Sequence, residues 1–141
     1  MSNALPGLLL TASILVSHPA WGQTIEIIDS DAAALAAEIA AVAESISVPG
    51  ASSSEPSPER EMQERIDQIA TLASSLESDI GSGRDRAATR KDFVRLKQLR
   101  EKALELVVYH QVEIDPEEAK LFSEALAELD RYYAQSTTSS R

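Results

Sequence analysis

The sequence predicts an all-α protein: an antiparallel three-helix bundle with an additional N-terminal amphipathic helix on a flexible linker. Apolar residues recur at spacings of three and four over four stretches of the 141-residue chain, as one face of a helix requires. Ser, Asp and Pro stand where helices begin, and Gly or Pro where they end. The last three stretches are joined by short connections, which favour packing as antiparallel neighbours.

Residues 1–22 are predicted to be a signal peptide, because they carry no charged side chain and contain the apolar run 5–16. Twelve residues are too few for a membrane span, which needs about 20, but suit the hydrophobic part of a secretory signal. Ala20-Trp21-Gly22 then offers small residues before the cleavage point. We therefore expect cleavage after Gly22, a mature chain that lies in the periplasm or is secreted, and no stable membrane span after cleavage.

Residues 23–46 are predicted to form a short extended segment followed by an amphipathic helix. The β-branched stretch 24–28 precedes Asp29-Ser30-Asp31, three candidate helix N-caps, and an Ala-rich helix is expected from Ala32. Its apolar stripe must be buried, either by docking as a fourth helix of the bundle or against the same stripe of another copy or a partner. This segment is therefore the predicted docking or assembly element. The predicted partner-binding residues are Ile25, Ile27, Leu35, Ile39, Val42 and Ile46.

Residues 47–57 are predicted to be a linker, because Ser, Pro and Gly dominate and apolar side chains are almost absent. The bundle is expected over residues 58–134. Its first helix begins with Ser57 as N-cap and Pro58 in the first turn, and ends at Gly81-Ser82-Gly83. Its apolar seam has heptad-like spacing. The seam consists of Met62, Ile66, Ile69, Ala73, Leu76 and Ile80.

The second bundle helix is expected to begin between Arg84 and Thr89 and to run to about Tyr109. The third starts at Asp115-Pro116, an acidic N-cap followed by proline, with Glu118 placed for a capping box. Residues 135–141 are predicted to be a disordered polar tail.

The formal net charge of −10 is unevenly distributed along the chain. The stretch 84–102 holds eight of the 13 basic residues and has a net charge of +5, so the remainder carries −15. Antiparallel packing between two acidic helices would neutralise this basic helix, which is the favoured interpretation. The alternative is an anion-binding ridge for lipopolysaccharide, phospholipid headgroups or an acidic partner. That ridge would consist of Arg84, Lys91, Arg95 and Lys102.

Composition argues against several functional classes. The chain has no cysteine, which excludes disulfides, thiol nucleophiles and cysteine-ligated metals. After signal removal His110 is the only histidine, and with Glu113 it makes an incomplete metal site. Gly81-Ser82-Gly83-Arg84 lacks the frame of a phosphate-binding loop. We predict a non-enzymatic protein with no catalytic residue, metal or cofactor, and the acidic charge disfavours nucleic acid as a partner.

The mature N-terminus, in which Gln23 leads through Ile25-Glu26-Ile27-Ile28-Asp29 into a helix with Leu35-Ala36, resembles the minor pilus subunits of type IV secretion and conjugation systems. This resemblance covers about two dozen residues and implies an exported helical protein that acts by adhesion and assembly. The stretch 112–118 is similar to a helix start in periplasmic helical-hairpin chaperones and metal sensors, with Asp115 where those have threonine.

Together these features predict an exported protein that acts by protein–protein interaction or assembly in the cell envelope. The partner is a second copy of the chain or another envelope component. The alternative is a periplasmic helical chaperone that binds unfolded clients or an anionic envelope component.

Overall fold

The computed structural model describes residues 26–52 and 54–135, and within these ranges the only regular secondary structure is helical. The all-α class is therefore confirmed. The predicted signal peptide 1–22, Ile25 and residues 136–141 of the predicted tail lie outside the described residues. The helices are α1 Asp29–Ser45, α2 Pro58–Gly81, α3 Arg86–His110 and α4 Pro116–Ala134.

Contacts at both ends of α1 and α4 show that these two helices run antiparallel. At the start of α1, Asp29 accepts a hydrogen bond of 2.7 Å from the Tyr132 hydroxyl near the end of α4. At the end of α1, the Ser45 hydroxyl lies 3.1 Å from a carboxylate oxygen of Glu118 in the first turn of α4. Since α1 also packs along α2, and α2 along α3, the four helices form one up-and-down bundle.

The helix α1 packs within the bundle as a fourth helix, which is one of the alternatives that the sequence leaves open, and it is not set apart from the bundle by the linker. Four alanines of α1 are buried, and the alanines of α2 at positions 70 and 73 are buried in the same core. Small side chains let two helix backbones approach closely, so this Ala-rich face packs without large residues. The buried alanines of α1 are Ala32, Ala36, Ala40 and Ala43.

The described part of the predicted linker follows the beginning of α2. Val48 is only 5% exposed, and its backbone N–H donates to the side-chain oxygen of Gln63 at 3.3 Å. Further along, the Arg60 guanidinium donates to the carbonyl oxygen of Ser54 at 2.7 Å. A single buried valine and two side-chain hydrogen bonds thus hold a segment whose composition predicts no fixed structure.

Two of the predicted helix starts are confirmed, although the Glu118 carboxylate accepts a hydrogen bond from the Ser45 hydroxyl instead of forming the expected capping box with Asp115. The Ser57 hydroxyl accepts a hydrogen bond from the backbone N–H of Arg60, and Pro58 occupies the first turn of α2. Asp115 accepts from the backbone N–H of Glu117 at the start of α4. By contrast, α1 begins at Asp29, three residues before the expected Ala32, and it has no side-chain cap. Its first acidic residue is instead engaged by Tyr132.

Aromatic side chains fill the space between α3 and α4, whose backbones lie further apart than those of α1 and α2. Phe93 of α3 stacks on Tyr133 of α4 with ring centroids 4.6 Å apart, and Tyr132 meets Tyr133 edge to face at 4.9 Å. The Tyr133 hydroxyl lies 2.7 Å from the hydroxyl of Thr89, which is fully buried. This cluster closes the end of the bundle at which α3 begins and α4 ends.

Candidate functional site

The predicted partner-binding stripe lies largely in the interior of the chain. Ile27, Ile39 and Ile46 are buried, whereas Leu35 and Val42 are partly buried and packed against the core. These side chains are covered because α1 packs against α2 and α4. A partner could reach the stripe only if α1 left the bundle.

The predicted basic ridge is exposed along its length, but its members differ in their pairing. Arg84 forms an ion pair of 3.2 Å with Asp79. In the part of the chain that the structure describes, Lys91, Arg95 and Lys102 form no ion pair and remain exposed. Exposed single charges of this kind are normally solvated and carry little binding information by themselves.

Other basic residues of α3 are used inside the molecule, one of them in the pairing with an acidic helix that the intramolecular interpretation predicts and two in contacts with backbone carbonyls. Lys97 pairs with Asp130 of α4 at 3.0 Å. Arg86 and Arg90 donate to the carbonyl oxygens of Gln135 and Tyr133, at 3.1 and 2.9 Å. Positive charge at the carboxyl end of a helix stabilises the helix dipole, so α3 caps α4.

The tyrosines beneath these two arginines have perturbed acidity. Burial, followed by the hydrogen bond to Asp29, raises the pKa of Tyr132 to about 12. Burial also raises the pKa of Tyr133. The guanidinium of Arg86 lies 4.6 Å from the centre of the Tyr132 ring, in cation–π geometry. Both phenols therefore stay protonated at neutral pH and serve as hydrogen-bonding parts of the core.

The last two turns of α3 expose large apolar side chains, and we call this surface the α3 patch. It consists of Leu104, Val108 and Tyr109, which are 42%, 63% and 77% exposed. Positions 106–109 are all apolar, so the apolar surface extends beyond the face that the core covers. That run is the signal in the sequence that could have identified the patch, since a half-buried helix needs only its inward face to be apolar.

A cleft lined by charged residues borders the α3 patch, between the start of α2 and the end of α3. Arg65 pairs with Glu61 at 3.2 Å on the α2 side. Lys102, Glu105 and His110 line the α3 side of the cleft, together with Tyr109. In the described residues no group of three or more His, Cys, Asp or Glu side chains is placed to hold a metal ion. The cleft therefore provides a polar rim of both charge signs beside the apolar patch.

A second, apolar cleft of about 60 Å³ opens between α3 and α4 near the same end of the bundle. Its walls include Met62 and Ile66 of α2, Val107 of α3 and Phe122 of α4. Its polar lining consists of Arg100 and Ser123, which are joined by a hydrogen bond of 3.2 Å. Neither residue stands out in the sequence as part of a site, because the cleft depends on how far apart α3 and α4 lie.

Comparisons with known proteins add no relative: no family model matches the sequence, and no curated protein or solved structure matches it significantly. Among the helices that the structure describes, none combines the length and the apolar character that a membrane span requires.

Proposed function

We propose that this chain is an exported, non-enzymatic helical protein that binds another protein in the cell envelope through the α3 patch. The observation that carries the proposal is the exposure of Val108 and Tyr109 in the last turn of α3. An apolar centre beside a charged rim is the usual composition of a protein-binding surface. Tyrosine is also one of the residue types that contribute most to binding energy when buried at an interface.

The proposed surface differs from the one expected from sequence, since the stripe of α1 is covered within the chain. The composition of residues 1–22 supports export. The proposal of a non-enzymatic role is supported by the scarcity of histidine, since His110 is the only one after residue 22. The resemblance of the mature N-terminus to minor pilus subunits of secretion systems supports a role in assembly. If the partner is another component of such an assembly, it would cover the α3 patch once the assembly has formed.

Site-specific photocrosslinking tests the proposal in the native cells. A photoreactive amino acid at Val108 is expected to give one discrete adduct, whereas the same group at Ser74, on the exposed face of α2, gives none. Tyr109→Ala should reduce the adduct, because removing an interface aromatic typically weakens binding by about 1–2 kcal/mol, or roughly tenfold. Its thermal unfolding should be unchanged, since the side chain is 77% exposed.

The mass of the adduct identifies the kind of partner. Twice the mass of the mature chain indicates a second copy, and any other single mass indicates a different protein. Equal adducts from positions 108 and 74, or none from position 108, would contradict the proposal.

The alternative function, a periplasmic chaperone, makes a different prediction for the same surface. A chaperone binds many unfolded sequences, so crosslinking at Val108 would give a broad distribution of adducts instead of one. The purified mature protein would also suppress aggregation of an unfolded client when present in molar excess. Suppression that is lost in Tyr109→Ala would favour this alternative over a single dedicated partner.

A further inference from the structure

We infer that two copies of this chain pair through α3, with the two α3 helices antiparallel and related by a two-fold axis. The inference rests on the proposed function, because it names a second copy of the chain as the partner that covers the α3 patch. The feature that carries it is a second row of residues on α3, outside the core, which we call the outer seam. The outer seam consists of Val94, Lys97, Glu101, Leu104 and Val108.

The outer seam has the spacing of a surface on which two helices pack. Its residues are separated by three, four, three and four positions, which is the heptad repeat of paired helices. Val94 is 42% exposed, and Leu104 and Val108 already belong to the exposed α3 patch. The residues with which α3 packs into the bundle form a separate row, so the outer seam is left for a partner. That core row consists of Phe93, Leu96, Leu99, Ala103 and Leu106.

The order of residue types makes the outer seam complementary to its own reverse. With the two-fold axis midway between Lys97 and Glu101, Val94 lies opposite Leu104 of the second copy. Lys97 then lies opposite Glu101 of the second copy, and the two-fold axis repeats both pairs. Opposite charges therefore meet at the centre of the seam, and apolar side chains meet on either side of it.

The charges beside the outer seam follow the same rule. Antiparallel pairing brings Lys91 of one copy near Glu105 of the second copy. Both side chains are exposed, and neither forms an ion pair with another described residue. Parallel pairing would instead place each of these residues against its own counterpart, lysine against lysine and glutamate against glutamate. Charge complementarity thus selects a second copy in the antiparallel direction.

Lys97 is able to take part although it already has a partner within the chain. Its ammonium group lies 3.0 Å from a carboxylate oxygen of Asp130, and the side chain is 44% exposed. An ammonium group has three donors, so Glu101 of the second copy can accept from one that Asp130 leaves free. Because the outer seam is a single row on one helix, we expect a weak dimer whose charge pairs are screened by salt.

Sedimentation velocity of the purified mature protein over a range of concentrations tests the pairing. A dimer should form as the concentration rises and should weaken at high salt. Lys91→Glu and Glu105→Lys should each weaken dimerisation roughly fivefold or more, because each creates two like-charge contacts per dimer. Glu105→Lys is the stricter test, since it brings the net charge of the chain closer to zero, which by itself favours association.

Mixing these two variants should restore the dimer. In a mixed dimer of Lys91→Glu with Glu105→Lys, opposite charges again face each other on both sides of the axis. The mixture should therefore associate at least as tightly as the unmodified protein. The matched control Arg95→Glu makes the same charge change as Lys91→Glu, but on a face of α3 turned by about 100° from Val94. It should leave dimerisation unchanged.

Single cysteines report the direction of pairing, because the chain has no cysteine of its own. Gln98 is exposed and lies beside the proposed axis, so Gln98→Cys should give a disulfide-linked dimer on mild oxidation. Ala87→Cys, at the beginning of α3, should give none, because the two copies of position 87 would be roughly 36 Å apart along the helices. Efficient linkage at both positions would indicate parallel pairing and overturn the inference.

Circular dichroism shows whether each variant is folded, and a misfolded Glu105→Lys is replaced by Glu101→Lys, with Lys97→Glu as its mixing partner. A protein that stays monomeric up to millimolar concentration would overturn the inference, and so would dimerisation that neither charge variant weakens. The proposed function would survive either result if photocrosslinking at Val108 in cells gave one adduct with a mass other than twice that of the mature chain. No adduct at Val108 would contradict the proposed function itself.

Discussion

Tyr132 shows how a single buried side chain ties the stability of this bundle to pH. Its ring is fully buried, its hydroxyl donates to Asp29, and the Arg86 guanidinium lies over its face. The pKa of Tyr132 is raised from 10.0 to about 12, so the folded protein favours the protonated phenol more strongly than the unfolded chain does. The resulting stabilisation is complete below pH 10 and is lost as pH rises toward 12.

The first prediction at this scale is an alkaline loss of stability that depends on Tyr132. The free energy of unfolding should fall by an amount on the order of 2–3 kcal/mol between pH 9 and pH 12. In Tyr132→Phe the fall should be smaller, with the remainder due to Tyr133, whose pKa is also raised. Urea unfolding followed by circular dichroism at several pH values measures the free energy of unfolding of both proteins. The same fall with pH in the unmodified protein and in Tyr132→Phe would contradict the prediction.

Thr89 and Tyr133 should behave as a coupled pair. Their hydroxyl oxygens are 2.7 Å apart in the interior, so Thr89→Val leaves the Tyr133 hydroxyl without its partner. We expect this variant to lose about 1–3 kcal/mol, the usual cost of an unsatisfied buried polar group. The double variant with Tyr133→Phe should lose less than the sum of the two single variants. Additive losses in chemical denaturation would show that the contact contributes nothing specific.

At the scale of helices, the close packing of α1 on α2 depends on small residues. Ala36 is fully buried, so Ala36→Leu must force the helices apart or distort neighbouring side chains. A loss of about 1–3 kcal/mol is expected from overpacking of this kind. The control Ala41→Leu adds the same atoms to an exposed position of α1 and should change stability by less than about 0.5 kcal/mol. Similar stability of both variants in thermal melts would indicate that α1 is not packed as described.

Sequence periodicity predicted the helices well because each has either a capping residue or a clear apolar stripe. Ser57 with Pro58, and Asp115 with Pro116, define their helix starts by local hydrogen bonding, which needs no knowledge of the rest of the chain. The packing of α1 was not predictable in the same way. Its buried face consists mainly of alanines, which a search for large apolar residues does not weigh, and its position depends on distant contacts such as Tyr132 with Asp29.

The candidate sites were less predictable than the helices. Arg100 is one of eight basic residues in the stretch 84–102. Only the tertiary structure distinguishes it from Lys97, which forms an ion pair with Asp130. The α3 patch had a weak signal in the apolar run 106–109, but the sequence alone could equally place such a run in a core. Sites formed between helices thus require the helix spacing, which local patterns do not encode.

For the molecule as a whole, the remaining prediction concerns the mature form. Cleavage after Gly22 should give a chain of 119 residues that begins with Gln23, and because residues 1–22 are uncharged it keeps the formal charge of −10. Intact-mass measurement and N-terminal sequencing of the protein recovered from the periplasm or medium check this. A protein recovered from the cytoplasm at full length would contradict export.

Gln135 joins the two ends of the described chain at one end of the bundle. Its side-chain amide accepts from the backbone N–H of Ile27 and donates to the Ile27 carbonyl at 3.0 Å, and its own carbonyl accepts from Arg86. Ile27 and Gln135 therefore lie side by side, next to the beginning of α3. The 25 residues of α3 span roughly 37 Å to the opposite end, which carries Val108 and Tyr109. A tether joined at residue 27 or residue 135 would therefore hold the α3 patch, the proposed binding surface, about one helix length away from the point of attachment.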